Sequence, residues 1–497
     1  MSAAERFDAV VLGGGPGGEV VLNTLLKGGL KIALVEREVI GGECSNWGCI
    51  PSKTLLRPTE LKAKCTRAAG VSTPPLDFER LAAYRDYMVS HHDDSSRVAR
   101  YEREGVTVLK EHGRIAGPGR IEANGRVLET DAVVVATGAT AVVPPIPGLV
   151  EAGFWTNREA TDIREIPESA VVVGGGAVGC ELAEFLARFG SRVTLIQGPQ
   201  RLADREEPQI GELLGEILEG DGVDLRLGRR AEAVRRHGDR RVVTLDDGDE
   251  VEGEVVVIGT GRRPNTADVG LETVGIEPGR GGIAVDERCR AGEGVWAVGD
   301  VTGVAQFTHV AKYQGRIAAM DILGMEAKAD YRAVPRVIFT DPEVAAVGLT
   351  EADARERGIE AVSATIDLPT SIARPYTFQE EPTGRFGVVA DAERQVVVGA
   401  WAVAPLASEW IHTAVLAIRA QIPIAVLKDT IAQFPSFSEA IVSLRTAMGI
   451  CARMARTAVW IHSLARGATA HAPTTTCRSA SATTPNLPVG SSWNVYG

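Results

Sequence analysis

The hydrophobic positions of the chain fall into short apolar runs, and two of these runs open the same larger pattern. Residues 7–36 and residues 169–198 both read as an apolar strand, a glycine-rich turn, a helix and a second strand. The second strand ends at Glu36 in the first unit and at Gln197 in the second. The two patterns predict two βαβ units of the kind that binds dinucleotides.

Each turn carries the spacing G-x-G-x-x-G directly after its strand. The glycines of the two turns are Gly13, Gly15 and Gly18, and Gly174, Gly176 and Gly179. Glycines here let the backbone approach a pyrophosphate, and the N-terminus of the following helix attracts its charge. We expect Glu36 to accept a hydrogen bond from a ribose hydroxyl. The alternative is a glycine-rich turn without ligand, but two such units together favour an electron relay between a flavin and a nicotinamide.

Further apolar runs predict the remaining strands. They are residues 131–140, 254–265 and 294–303. From residue 334 the pattern changes to hairpin-like stretches and one apolar helix candidate, residues 408–420, which indicates a separate α+β domain. After Glu439 the chain has no acidic residue and no lysine. We expect disorder from about residue 467, and a shift of reading frame would also explain such a composition.

Length and charge narrow the class of protein. A chain of 497 residues is long enough for about three domains. A net charge of −12 disfavours nucleic acid and anionic membranes as partners, because both attract basic surfaces. No apolar run approaches the roughly 20 residues that span a bilayer, and the N-terminal run is too short for a signal peptide. We therefore expect a cytoplasmic protein that binds neither nucleic acid nor membrane.

The segment GGECSNWGCIPSK, residues 41–53, contains the closest cysteine pair, Cys44 and Cys49. Three uses are open: a metal site, a structural disulfide or a redox switch. A structural disulfide is not expected in a reduced compartment, and a zinc site needs further ligands that the sequence does not group nearby. On a regular helix these positions lie about 8 Å apart at Cα, whereas a disulfide needs about 5.5–6 Å. The segment must therefore be distorted, which Gly48 and Pro51 favour.

Taken in order, these motifs resemble the FAD-dependent pyridine nucleotide–disulfide oxidoreductases, a family that includes dihydrolipoamide dehydrogenase, glutathione reductase and mercuric reductase. The resemblance covers residue 5 to about 448 and includes VATG, GTGRRPN, AVGD and FTHVAKYQGRIA. It implies an α/β protein with two Rossmann-like domains and a C-terminal α+β dimerisation domain, acting as a homodimer. The implied segments are an FAD domain over 1–150 and 269–333, an NAD(P) domain over 151–268, an interface domain over 334–449 and an atypical tail over 450–497.

The resemblance also implies roles for single residues. Cys49 would face the flavin, Cys44 would exchange with the substrate, and Lys53 would pair with Glu181 beside the flavin. Asp300 would hydrogen-bond the ribityl chain of FAD, while the backbone at His309 would lie near the flavin and its imidazole would be structural. Further contacts to FAD or to NAD or NADP are implied for Gly42, Thr137, Gly138, Gln197, Gly261, Arg262 and Gly299. No resident metal is expected.

One departure from the family limits the prediction of the acceptor. Many relatives carry His-Pro-Thr-x-x-Glu near the C-terminus, and that histidine is the acid and base for disulfide exchange. Here Phe434 stands at the histidine and Glu439 at the glutamate. Phenylalanine cannot transfer a proton. His412 is interpreted as a packed helix residue rather than a substitute.

Three functions therefore stay open. The first is a dihydrolipoamide dehydrogenase-like enzyme that passes a hydride from NAD(P)H through FAD to the Cys44–Cys49 disulfide and on to a small-molecule acceptor, either a disulfide or a quinone-like compound. The second is a quinone or metal-ion reductase, although Cys451 and Cys477 are isolated, unlike the paired C-terminal cysteines of mercuric reductases. The third is a flavin-bound redox sensor with little turnover. Gln197 with Arg201 leaves the choice between NAD and NADP open, and Gly179 leans towards NAD.

Overall fold

The structure is a computed structural model that describes residues 4–443. Its strands form an α/β arrangement with an antiparallel sheet at the C-terminal end. In chain order they are β1 (Glu5–Leu12), β2 (Ile32–Val35), β3 (Thr107–Leu109), β4 (Gly113–Gly117), β5 (Arg120–Ala123), β6 (Arg126–Val135), β7 (Ala139–Ala141), β8 (Ser169–Val173), β9 (Arg192–Gln197), β10 (Asp224–Leu227), β11 (Ala231–His237), β12 (Arg240–Leu245), β13 (Glu250–Gly253), β14 (Val255–Ile258), β15 (Arg262–Pro264), β16 (Arg290–Gly292), β17 (Val295–Ala297), β18 (Pro335–Ile338), β19 (Glu343–Gly348), β20 (Ala361–Asp367), β21 (Arg385–Asp391) and β22 (Val396–Ala404).

The helices cover the faces of these sheets. They are α1 (Pro16–Lys27), α2 (Gly42–Asn46), α3 (Cys49–Arg67), α4 (Phe78–Met88), α5 (Ser95–Arg103), α6 (Leu149–Ala152), α7 (Asn157–Thr161), α8 (Ala177–Arg188), α9 (Pro208–Gly220), α10 (Thr308–Ile322), α11 (Glu351–Glu356), α12 (Leu368–Ser371), α13 (Ala407–Trp410), α14 (His412–Arg419), α15 (Ile424–Asp429) and α16 (Glu439–Ser443). Short 3₁₀ turns lie at Ser90–His92, Leu271–Val274, Gly299–Thr302 and Arg374–Thr377.

The first glycine turn leaves the middle of the largest sheet. Its central strands follow the order β17–β6–β1–β2–β3 and are all parallel. The side chains of Ala9, Val10 and Val11 in β1 are fully buried, as expected for a strand covered on both faces. β17 comes from a distant part of the chain and pairs with β6, so residues from both implied FAD segments share one sheet.

The second glycine turn leaves a separate parallel sheet of order β10–β9–β8–β14. α8 follows the turn, and Cys180 and Phe185 bury their side chains against this sheet. An antiparallel meander, β11–β12–β13, and a two-stranded ribbon of β7 and β15 complete this part of the chain. The α/β fold class predicted from the two apolar patterns is confirmed.

The C-terminal part is an antiparallel sheet of order β18–β19–β22–β21–β20. The single helix expected over residues 408–420 is instead two short helices, α13 and α14, which meet at Ile411. Both pack on this sheet, because Trp410 and Ile418 enter its apolar core.

The exact domain boundaries of the sequence analysis stay predictions. The tail over 450–497 and its expected disorder lie outside the described residues. Within residues 4–443, no helix has both the length and the apolar character that crossing a membrane requires.

Candidate active site

The two cysteines lie on consecutive helices with a break between them. Cys44 is in α2 and Cys49 begins α3, and the backbone at Gly48 is non-helical, with φ −117° and ψ −112°. This is the distortion that the cysteine spacing requires. A Cβ at Gly48 would come within 3.1 Å of the carbonyl oxygen of Glu43, so the break favours glycine. Both cysteines are free thiols in the structure.

The pKa values of the two cysteine thiols are shifted in opposite directions. A hydrogen bond from Cys44 lowers the pKa of Cys49 to about 6, opposed by burial and assisted by Thr308 and the charge of Lys53. The same hydrogen bond, together with burial, raises the pKa of Cys44 above its usual range. Sγ of Cys49 lies 3.4 Å from Oγ1 of Thr308 at the start of α10. At neutral pH the reduced pair therefore holds a thiolate on Cys49 and a proton on Cys44.

Lys53 lies one turn after Cys49 and forms the ion pair expected from the sequence. Its Nζ is 2.7 Å from Oε2 of Glu181, which is nearly buried. The other oxygen of Glu181 accepts a hydrogen bond of 2.9 Å from the amide of Phe339. Lys53 Nζ also lies 4.8 Å from the centre of the Phe339 ring. The pair joins α3 to α8, while its role beside the flavin stays a prediction.

A cavity of about 980 Å³ connects the first glycine turn to the cysteines. Gly13 has φ +107°, and a Cβ there would collide with the carbonyl oxygen of Ala136. A Cβ on Gly42 would lie 2.8 Å from Cα of Gly15, so two bare backbones face each other at the cavity floor. An elongated dinucleotide needs such a close backbone approach beside a helix N-terminus. The residues present thus fit FAD.

Glu36, the acidic residue of the first βαβ unit, also accepts hydrogen bonds from backbone amides, which the sequence does not reveal. Oε2 of Glu36 accepts a hydrogen bond of 2.6 Å from the amide of Gly14, and Oε1 accepts one of 2.7 Å from the amide of Glu38. Glu36 lines the cavity, so its remaining lone pairs suit a ribose hydroxyl.

The second unit repeats this arrangement with an amide. Oε1 of Gln197 accepts a hydrogen bond of 2.8 Å from the amide of Gly175, and its Nε2 donates over 3.4 Å to the carbonyl of Arg201. The buried Gln197 side chain therefore braces its own glycine turn. Of the predicted residues, those that do not line the cavity are Gly18, Gly174, Gly176, Gly179, Gln197, Gly261 and Glu439.

Other predicted cofactor residues lie close together where the chain leaves the ends of β6 and β14. Thr137 Oγ1 donates a hydrogen bond of 2.7 Å to the carbonyl of Asn265. Arg262 Nε lies 3.8 Å from Oδ2 of Asp300. Burial raises the pKa of Asp300, and Arg262 opposes that shift. With Gly138 and Gly299 these side chains line the cavity.

Two histidines from the C-terminal half of the chain, His309 and His412, line the cavity. His309 Nε2 is 2.9 Å from the carbonyl oxygen of Pro335, and its ring stacks on Phe307 with 5.2 Å between centroids. Burial lowers the pKa of His309. The interpretation of His412 as a packed helix residue was wrong: it is exposed and lines the cavity, whereas the buried residues of α14 are Ala414, Ala417 and Ile418.

The remaining predicted catalytic residue is not at the cavity in this chain. Glu439 Oε2 accepts a hydrogen bond of 2.9 Å from the amide of Ser436. The nearby Phe434 side chain is 72% exposed.

Sequence reasoning missed the groups that hold the cysteine loop. Trp47 lies between the cysteines, stacks on His92 with 5.2 Å between centroids and supports the guanidinium of Arg158 at 4.1 Å. Its carbonyl accepts a hydrogen bond of 2.9 Å from Asn157. An aromatic residue inside the cysteine motif was the one available signal.

Comparison with known proteins matches two family models. Residues 7–315 match the pyridine nucleotide-disulphide oxidoreductase family, and residues 334–445 match the dimerisation domain of that family. A mercuric reductase from Staphylococcus aureus is 32% identical over 443 residues, which cover 87% of this chain and 81% of the relative. A dihydrolipoyl dehydrogenase from Chlamydia muridarum is 32% identical over 447 residues, covering 88% and 95%.

Solved structures agree with these relatives. A Cu(II) complex of RclA, an HOCl-induced flavoprotein disulfide reductase from Escherichia coli, has a TM-score of 0.78 at 29% identity and covers 87% of this chain and 98% of RclA. LpdA from Mycobacterium tuberculosis has a TM-score of 0.79 at 30% identity, covering 89% and 100%. Because the relatives are enzymes by name, the alternative of a redox sensor with little turnover loses support. The chain thus belongs to the pyridine nucleotide-disulphide oxidoreductase family and is an FAD-dependent NAD(P)H oxidoreductase with a redox-active cysteine pair.

Proposed function

We propose that the chain is an NAD(P)H-dependent reductase whose cysteine pair delivers electrons to a thiophilic metal ion such as Hg(II) or Cu(II). The observation that carries this proposal is the Cys49 thiolate, with its pKa of about 6, next to a protonated Cys44 at the wall of an open cavity. Thiolates are the preferred ligands of soft metal ions. A metal acceptor needs no histidine to supply protons, which suits Phe434.

The electrons and protons of this reaction balance. The cavity that connects the first glycine turn to the cysteines would hold FAD, which would supply the two-electron link between NAD(P)H and the cysteine disulfide. The disulfide bond breaks, Cys49 becomes a thiolate and Cys44 takes up one proton. The two electrons then reduce one Hg(II) to Hg(0), or two Cu(II) to Cu(I). The disulfide forms again and the proton of Cys44 is released.

A small disulfide such as lipoamide is the second candidate acceptor. Glu439 and Pro435 keep two positions of the family's exchange motif, and a dihydrolipoyl dehydrogenase is among the relatives. Phe434 disfavours this candidate because it cannot donate a proton to the leaving sulfur. A quinone, reduced directly from the flavin, is the acceptor for which the cysteines are not needed.

An acceptor panel tests the proposal. Oxidation of NADH and of NADPH is measured with Hg(II), Cu(II), lipoamide and a quinone, for the original chain and for the pair of substitutions Cys44→Ser and Cys49→Ser. We expect metal-dependent oxidation that the double substitution abolishes, while reduction of the flavin by NAD(P)H persists. Faster turnover with lipoamide than with either metal would assign the disulfide instead. Quinone reduction that survives the double substitution would assign the flavin itself as donor.

The assembly proposed for this reaction is a homodimer in the cytoplasm. The match of residues 334–445 to a dimerisation domain supports the dimer. In the family the substrate site is shared between two subunits, so Phe434 and Glu439 would serve the partner's cysteines. The supply of NAD(P)H and the reduced state of free thiols support the cytoplasm.

A further inference from the structure

Two carboxyl groups on one face of α8 each accept a hydrogen bond from the segment of residues 339–341. Glu181 and Glu184 are three positions apart and so lie on the same side of the helix. Oε1 of Glu181 accepts a hydrogen bond of 2.9 Å from the amide of Phe339. Oε1 of Glu184 accepts one of 2.9 Å from the amide of Asp341. The two carboxylates thus bind alternate amides of residues 339–341, directly after β18.

The same segment supports the lysine of the cysteine helix. Lys53 Nζ contacts Oε2 of Glu181 at 2.7 Å and lies 4.8 Å from the centre of the Phe339 ring. A shift of residues 339–341 along α8 therefore moves the Phe339 ring away from Lys53 and breaks the hydrogen bond that orients the Glu181 carboxyl group.

Glu184 is separate from the cavity and almost completely buried, with 1% of its side chain exposed. Arg188 Nη2 lies 3.2 Å from Glu184 and 3.0 Å from Asp221, and donates a hydrogen bond of 2.9 Å to the carbonyl of Asp341. Asp341 also pairs with Arg67, at the end of α3. Burial raises the pKa of Glu184 to about 8, opposed by the charge of Arg188, and packed apolar side chains often replace a buried group of this kind without loss of stability. This position keeps a carboxyl group that serves the amide of Asp341.

We propose that Glu184 is a positioning residue for hydride transfer, because it fixes residues 339–341 and through them the Lys53–Glu181 pair. It acts on the half-reaction that reduces the flavin, which is common to every candidate acceptor. The inference is therefore independent of which acceptor the enzyme uses. A displacement of about 1 Å at a reacting centre slows a reaction by about 100-fold. Loss of the Glu184 contact should thus slow flavin reduction by about 10- to 100-fold.

Glu206 offers a matched control. It joins the loop between β9 and α9 to β18, through two hydrogen bonds of 2.6 and 2.8 Å from Arg336. It makes no hydrogen bond to residues 339–341 and does not line the cavity. Glu206→Leu therefore breaks a partly buried connection to β18 without releasing the segment.

The experiment compares Glu184→Leu, Glu184→Gln and Glu206→Leu in the full-length, FAD-loaded protein. Stopped-flow absorbance gives the rate constant of flavin reduction at saturating NADH or NADPH. Hydrogen–deuterium exchange of residues 339–341, measured with and without FAD, reports the segment itself. We expect Glu184→Leu to slow reduction about 10- to 100-fold and to speed exchange of these amides. Glu184→Gln keeps an acceptor oxygen and should stay within about 3-fold of the original rate.

Glu206→Leu should lower the melting temperature but leave the rate constant unchanged. If Glu184→Leu does not fold because Arg188 loses a partner, Glu184→Leu with Arg188→Gln removes the guanidinium but keeps a donor for the carbonyl of Asp341, and it should show the same slow reduction. The proposal is overturned if a folded, FAD-loaded Glu184 variant without an acceptor oxygen reduces at the original rate. It is equally overturned if Glu206→Leu slows reduction as much.

Discussion

At the scale of single residues, the cysteine pair divides its chemistry between a thiolate and a thiol. The pKa of Cys49 is lowered to about 6, so in the reduced enzyme this group ionises on raising the pH through 6. We expect the ultraviolet thiolate absorbance of the reduced protein to titrate with a midpoint near 6 and Cys49→Ser to remove this transition. Cys65→Ser, on the same helix, is the control and should leave it in place. A transition that follows Cys44 instead would reverse the assignment.

Phe434 sets a second prediction at this scale. If it occupies the exchange-base position, Phe434→His should raise the rate of disulfide reduction, because Glu439 is available to orient the ring. General acid–base catalysis contributes about 10²–10⁴-fold, which is the upper range of the gain. Stopped-flow measurement of both half-reactions with lipoamide checks it, with flavin reduction unchanged as the internal control. An original chain that reduces lipoamide as fast as it accepts hydride would refute the assignment.

The residues that the sequence identified and those that it missed differ in how they are held. Cys44, Cys49 and Lys53 follow from a short motif, because they lie within ten residues on α2 and the start of α3. Trp47 and Thr308 also stabilise the cysteine loop, but their contacts form between segments that are distant in sequence and that only the fold brings together. His412 was misread because the apolar composition of the segment predicts burial on every face of the helix, whereas in α14 only Ala414, Ala417 and Ile418 are buried.

At the scale of elements, the two βαβ units use their glycines in the same way. Gly13 and Gly174 have φ of +107° and +111°, which a side chain rarely adopts. Both turns are braced from the end of the second strand, by Glu36 directly after β2 and by Gln197 at the end of β9. The sequence could predict the units because glycine spacing and strand ends are local. It could not predict the bracing, since a hydrogen bond to Gly14 or Gly175 leaves no mark in the pattern.

Gly179 provides the prediction at this scale. A Cβ at this position would collide with the carbonyl oxygen of Gly174, so Gly179→Ala must push α8 away from its turn. We expect NAD(P)H binding to weaken by about 5- to 150-fold, since overpacking costs about 1–3 kcal/mol, while FAD stays bound. Titration of flavin reduction against NADH and NADPH checks this. Gly220→Ala, where a Cβ meets nothing within 4 Å, is the control. Equal binding by both variants would show that α8 tolerates the shift.

At the scale of the whole molecule, apolar side chains are exposed in the C-terminal part of the described chain. Ile431 is 96% exposed and Phe434 72%. A second copy of the chain would bury them. We expect Ile431→Asp to shift the protein from dimer towards monomer in size-exclusion chromatography with light scattering. Val150→Asp, at a side chain 71% exposed in α6, should leave the dimer intact. A dimer that withstands Ile431→Asp would place the interface elsewhere.

β17 joins the largest sheet although it is distant in sequence from its neighbour β6, and this order has a consequence for folding during synthesis on the ribosome. β17 pairs with β6, Val295 beside Val133, whereas the entire second parallel sheet lies between these partners in sequence. Because the ribosome synthesises a chain from its N-terminus, the sheet β10–β9–β8–β14 is already synthesised when the edge of β6 still lacks its partner β17. An unpaired, apolar edge invites association with other nascent chains. Translation speed between Val135 and Val295, rather than final stability, should therefore set how much of this enzyme is produced in soluble form.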